Sequence, residues 1–265
     1  MNKLIQYKIR GNRLPVGRKP YVKKGASNMG KIVAIGGGDA MKGQTREIDE
    51  CIVRMAHKQR PKFLFLPTAS EDAEAYIVFI NAYFCGMGCE TSTLRLVSEK
   101  PSKEAVEKKI AGADIIYVGG GDTSSMMHVW HEYGVDSCLR QAYQRGTVLC
   151  GTSAGAICWS VFGHSDSDPS INQGWWDYGR AGGLSLIPAA ICPHYNQKGR
   201  EGFDRMMVGE HIPGIALEDG AALVEEDGVY HILRAAGGGK VYLLKPAPGV
   251  SEKQEIQERE YFRVA

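Results

Sequence analysis

A serine stands between two glycines at Cys150-Gly151-Thr152-Ser153-Ala154-Gly155-Ala156, directly after the apolar run 147–149. The pattern G-x-S-x-G, where an apolar strand hands over to a helix, is the tight turn that projects a serine hydroxyl from the carboxyl end of a sheet. Small neighbours are required because the turn is strained. The amide of Ala154, first in the following helix, would face negative charge developing on a bound carbonyl. Glycines also mark ordinary turns, and serine is an ordinary helix N-cap. The chemistry therefore depends on a base, since a free serine hydroxyl is a poor nucleophile at neutral pH.

The chain offers seven histidines. His57, His128, His131 and His211 fall on expected helices among polar residues, and His231 sits within an expected strand. His164 lies in a polar stretch that reads as a solvated loop. His194 closes the apolar run Ala189-Ala190-Ile191-Cys192-Pro193, at a strand end where an α/β protein gathers its site residues. It is the better base for Ser153. An acid must orient its imidazole, and Asp166, Asp168 and Glu218 all qualify by position; spacing does not choose among them. The run His164-Ser165-Asp166-Ser167-Asp168 also has oxygen ligands for a metal, but such short polar loops are commonly just solvated. No metal and no cofactor is expected.

The elements that must hold these residues alternate. Short apolar runs at 31–37, 62–68, 91–97, 114–120 and 147–151 read as strands. Between them, 46–59, 72–86, 102–111 and 123–145 read as helices, the last broken at Gly134. Continuous apolar strands alternating with helices predict a mostly parallel sheet covered on both faces. Beyond the serine come a loop-rich stretch at 163–183, a helix over 199–210 and strands at 214–218, 221–225, 229–235 and 240–246. Two glycine clusters, 34–39 and 118–123, each follow a strand; neither fits a dinucleotide or phosphate-loop pattern. The first reads as a plain turn. The second can present backbone amides to an oxyanion.

Whole-chain properties narrow the class. With 265 residues, 43% hydrophobic and 23% charged, the chain has the composition of a globular protein. It has no apolar run of the roughly 18 residues a membrane span needs and no signal-peptide core, so no membrane partner is expected. Seven cysteines without a CxxC pair suit a reducing cytoplasm. Residues 1–28 carry eight Lys/Arg and no acid, leaving 24 basic residues against 30 acidic in the remainder. This leader reads as a flexible extension without a catalytic role, and 29–265 as a single α/β domain. Nucleic acid is disfavoured as a partner, and a homodimer is left open.

Five motifs in order, Val118-Gly119-Gly120-Gly121-Asp122-Thr123, Gly151-Thr152-Ser153-Ala154-Gly155, the run from His164 to Asp168, Pro193-His194-Tyr195 and Leu217-Glu218-Asp219-Gly220, resemble the dipeptidase E and cyanophycinase family of serine peptidases. The resemblance covers roughly residues 31–245 and implies a three-layer α/β sandwich similar to class I glutamine amidotransferases, which are flavodoxin-like, with serine in place of their cysteine nucleophile. It implies Ser153 as nucleophile, His194 as base, Asp168 as triad acid with Glu218 as a second site acid, and Gly120 and Gly121 beside Ala154 as the oxyanion hole. It also implies a small peptide or isopeptide substrate whose carboxylate is clamped by Arg200, with Arg205 as rival. Asp122 replaces the asparagine typical of dipeptidase E and would oppose such a carboxylate. Tyr195, Trp175, Trp176 and Tyr178 complete the expected substrate surroundings, the last three as an aromatic wall. Two other readings stand beside this one: an α/β-hydrolase-type esterase, and a non-catalytic amidotransferase-like binding domain.

Overall fold

The computed structural model describes residues 29–167, 178–247, 249–258 and 260–264. The basic leader and Asp168, Trp175 and Trp176 therefore lie outside the described residues. In chain order the elements of the first half are β1 (Lys31–Ile35), α1 (Arg46–Met55), β2 (Lys62–Leu66), α2 (Glu74–Gly86), β3 (Glu90–Thr93), α3 (Lys103–Ala111), β4 (Ile115–Val118), α4 (Thr123–Tyr133), α5 (Val135–Gln144) and β5 (Val148–Thr152). The second half contains α6 (Ala154–Ile157), β6 (Phe162–Ser165), β7 (Gly179–Gly182), β8 (Ala190–Cys192), α7 (Gly202–Met206) and β9 (Gly214–Leu217). It ends with β10 (Ala221–Glu226), β11 (Val229–Arg234), β12 (Val241–Ala247) and β13 (Val250–Ile256).

A seven-stranded sheet runs β11-β10-β1-β5-β4-β2-β3. Strands β1, β5, β4, β2 and β3 are parallel, and β10 and β11 continue the sheet antiparallel. Its strands read as unbroken apolar runs because both faces are covered. On β1, Val33 and Ile35 pack with Ile48 and Ile52 of α1 and with Ile77, Ile80 and Phe84 of α2. Ile32 and Ala34 face the opposite core, with Val106, Trp130, Leu139 and Trp159. The expected three-layer sandwich with a mostly parallel central sheet is thus present. Gly134 does separate α4 from α5, adopting φ +72° where any side chain would be strained.

A second, six-stranded sheet, β13-β12-β9-β8-β6-β7, was not legible as a sheet of its own. Alternate residues of its strands, Ile191, Ile215 and Leu217, join the main core, while Ala190, Cys192 and Ala216 pack under Phe203 of α7. The expected helix over 199–210 shrinks to α7, and the expected strand at 91–97 shrinks to β3, although Leu94 and Leu96 stay fully buried. Burial and hydrogen-bonded structure need not coincide at a sheet edge. No helix of the described residues is long and apolar enough to cross a membrane, and all seven cysteines are free.

Candidate active site

Three adjacent parallel strands deliver their carboxyl ends to one place. Pairing Ile35 with Thr152 and Val118 with Gly151 puts the loop after β1, the turn after β5 and the loop after β4 side by side. The turn after β5 carries Ser153 at φ 57°, ψ −113°, left-handed backbone that a non-glycine residue adopts at a cost of about 1–3 kcal/mol. The flanking glycines explain how the turn closes. A Cβ on Gly151 would stand 2.5 Å from the Gly155 carbonyl oxygen, and one on Gly155 would stand 2.2 Å from that of Val118. The serine sits between glycines because only bare backbone lets α6 approach β5 and β4 so closely. The amides of Ala156 and Ile157 donate to the Ser153 carbonyl. That of Ala154, first in α6, has no intrahelical acceptor and makes no hydrogen bond among the described residues.

The three glycines after β4 have separate tasks. Gly119 leaves space for Tyr76, whose ring carbon lies 2.8 Å from where a Cβ would stand. Gly120 lies against Ser153, its Cβ position 3.3 Å from Ser153 Cβ and 3.9 Å from Oγ. Gly121, at φ +139°, could carry no side chain without meeting the Ala69 carbonyl at 2.0 Å. Asp122 turns its carboxylate to the N-terminus of α4, accepting from the Ser125 amide at 2.9 Å, so its charge is paired with a helix end.

His194 follows β8 through Pro193 and also adopts positive φ, 53°. Its amide donates to the Gly36 carbonyl at 2.8 Å, while the Ser153 amide donates to the preceding carbonyl, Ile35, at 3.2 Å. Successive carbonyls at the end of β1 thus hold the backbones of serine and histidine. The imidazole Nδ1 lies 2.6 Å from Asp219 Oδ1. Gln197 Nε2 lies 3.2 Å from the same Nδ1 and 3.2 Å from Asp219 Oδ2. A nitrogen donating to a carboxylate cannot also accept, so the Gln197 amide serves Asp219. Asn196 closes the loop, accepting from the Asp219 amide at 3.0 Å. Burial pushes the Asp219 carboxyl up, but hydrogen bonds and charge from His194, with Gln197 and Asn196, outweigh it and hold the group below its ordinary value. Nδ1 is therefore committed to a carboxylate, and in the neutral ring the lone pair lies on Nε2.

Asp219 was missed by sequence reasoning, which weighed Glu218 beside it. Glu218 Oε2 instead accepts from the Lys240 amide at 2.7 Å, tying the end of β9 to the start of β12. Asp166 is exposed and reaches Arg200 at 3.9 Å. The adjacent acids of the sequence differ by one position, and no apolar period extends past Leu217 to say which faces the site. The first glycine cluster, read as a plain turn, has a further task. A Cβ on Gly37 would lie 2.1 Å from Asp219 Oδ1 and 2.3 Å from the His194 ring, so this loop is the floor of the His–Asp pair.

Arg200 and His164 form a separate, buried pair. Arg200 is only 5% exposed; it donates to the His164 carbonyl at 2.6 Å and lies 4.0 Å over the Tyr178 ring. It is neither an exposed helix arginine nor turned outward as a clamp, whereas Arg205 is exposed. His164 is not a solvated loop residue: it sits in β6, 2% exposed, with Nδ1 3.6 Å from Cys192 Sγ. Burial, then the charge of Arg200, pushes its imidazole down to about 4. Tyr195 donates to Asp204 at 2.7 Å and accepts from Lys253 at 2.9 Å, which anchors the segment after His194 to β13.

The fold is shared with a solved peptidase from an acI-B1 actinobacterium, which matches with a TM-score of 0.68 over 89% of this chain and 97% of the other, at 18% identity. In sequence, the chain is 32% identical to the uncharacterized peptidase YgaJ of Bacillus subtilis over 81% of its length and 91% of the relative's. It is 26% identical to a peptidase E of Shewanella denitrificans, over 76% of this chain and 86% of that one. Fold, site and relatives define a hydrolase of peptide bonds of the serine type. Residues 32–233 match the family model for peptidase family S51, and the chain belongs to that family.

Proposed function

We propose that this peptidase cleaves a small peptide or isopeptide through an acyl-enzyme on Ser153, with His194 as general base and Asp219 as the acid that orients it. The observation that carries the reading is the pair of successive carbonyls, Ile35 and Gly36, which hold the Ser153 and His194 backbones while Asp219 engages Nδ1. Ser153 Oγ attacks the scissile carbonyl as His194 Nε2 removes its proton. The carbonyl π electrons move to oxygen, opposite the Ala154 amide. Collapse breaks the C–N bond, and the imidazolium returns the proton to the leaving amine. Water, deprotonated by the same Nε2, then releases the acid and restores Ser153.

Aspartyl-dipeptide specificity draws less support than the chemistry. The arginine that would hold a substrate carboxylate is engaged with His164, Tyr178 and Asp166. The test is intact mass after incubation with a fluorophosphonate. The expected result is a single adduct that is absent in Ser153→Ala and formed far more slowly in His194→Ala. A wild-type enzyme that stays unmodified while folded would overturn the acyl-enzyme.

A further inference from the structure

The turn that carries His194 brings a second side chain back to the same ring. The Gln197 backbone amide donates to the His194 carbonyl at 2.8 Å and closes the turn 194–197. Its side chain folds back, placing Nε2 3.2 Å from His194 Nδ1 and 3.2 Å from Asp219 Oδ2. Asn196 reaches the same Oδ2 with its side-chain amide at 3.4 Å, while its own Oδ1 accepts from the Asp219 amide at 3.0 Å. The carboxylate is thus divided between two tasks. Oδ1 meets the imidazole at 2.6 Å, and Oδ2 meets two side-chain amides from the histidine's own turn. Both members of the pair are partly exposed, so water would otherwise compete for Oδ2 and leave the carboxylate free to rotate.

We propose that Gln197 is a positioning residue of the hydrolysis, its side-chain amide fixing Asp219 Oδ2 so that Oδ1 stays aligned with His194 Nδ1. The proposal rests on His194 acting as the base for Ser153 and Asp219 as its acid. In this role Gln197 exchanges no proton; it acts through the carboxylate. Nδ1 carries its own hydrogen when it donates to Asp219, so the Gln197 hydrogen goes to Oδ2. Without that hydrogen bond the carboxylate turns about its Cβ–Cγ bond and spends time away from Nδ1. The neutral ring then loses part of its bias toward the tautomer with Nε2 free. A site held to within about 0.5 Å depends on such supporting bonds.

A double-mutant cycle in the full chain tests this, read as the rate of Ser153 acylation by a fluorophosphonate at neutral pH. Gln197→Met keeps the length of the side chain and removes the amide. It is expected to slow acylation about 10-fold in the wild-type background. In Asp219→Ala, where the group it acts on is gone, the same change should cost less than twofold. The Nδ1 proton resonance of His194 should broaden in Gln197→Met, because a carboxylate that turns away opens that proton to exchange, while the thermal midpoint stays nearly unchanged. A merely structural role predicts equal slowing in both backgrounds. Equal slowing, an unchanged resonance, or acylation of Gln197→Met within twofold of wild type would each overturn the proposal and leave Asp219 standing. Asp219→Ala acylating as fast as wild type would instead remove the acid, and the proposal with it. Absence of any Ser153 adduct in wild type would overturn both. Should Gln197→Met fail to fold, Gln197→Glu sets an acceptor where the donor stood and should slow acylation at least as much; a rate within twofold of wild type there would overturn the proposal by itself.

Discussion

His164 and His194 belong to neighbouring parallel strands of one sheet, β6 and the end of β8, yet their surroundings are opposite in character. His194 is about one-fifth exposed and has a carboxylate on Nδ1. His164 is sealed beneath Tyr178 and Phe203, with a thiol on one side and the Arg200 cation nearby. Access to water and the sign of the nearest charge separate the proposed base from a buried packing residue. The arginine divides the regions in the same way. Buried against a carbonyl and a ring, it serves the β6–α7 junction, while His194 has the Asp219 carboxylate on its ring.

The comparison is broken most directly by removing the acid. Asp219→Asn keeps the shape of the loop but no longer favours the tautomer with Nε2 free. It is expected to lower kcat/KM by about 10³–10⁴-fold, measured beside Asp168→Asn. A larger loss in Asp168→Asn would transfer the role to that residue.

Gly37→Ala tests the floor beneath the pair. Its Cβ must displace Asp219 or the imidazole, and about 1 Å of displacement lowers kcat/KM by roughly 10²-fold. Steady-state kinetics with an unchanged circular-dichroism spectrum checks it.

On the buried side the effects fall on stability. Arg200→Met leaves the His164 carbonyl without its donor, and should lower unfolding free energy by about 2 kcal/mol in urea titration. Its kcat/KM should stay within a few-fold of wild type. Selective loss of activity toward aspartyl peptides would restore the clamp role.

The last contrast is read in the pH dependence of stability. The folded-state pKa of His164 is about 4, below its unfolded value, so the unfolded chain binds the extra proton first. Stability from this group is complete above the unfolded pKa and declines as pH falls toward 4, by up to about 3 kcal/mol. His164→Phe should flatten that part of the urea midpoint-versus-pH curve.

Local order carried much of the outcome. The turn around Ser153 was legible because a strained elbow demands small residues on both sides, and His194 because a proline-terminated apolar strand ends where sites assemble. The parallel strands of the first half were legible because burial on both faces removes polar residues from them. Choices made across the molecule were not. Which of Glu218 and Asp219 faces the imidazole depends on Lys240, a strand away, capturing the glutamate. The need for Gly37 arises only when His194 and Asp219 arrive from the second sheet. Arg200 read as a substrate clamp because its partners, the His164 carbonyl and the Tyr178 face, are distant in sequence and leave no periodic trace. A chain specifies backbone shape through short-range sterics, whereas the partner of a side chain is set by whichever segments the sheets bring together.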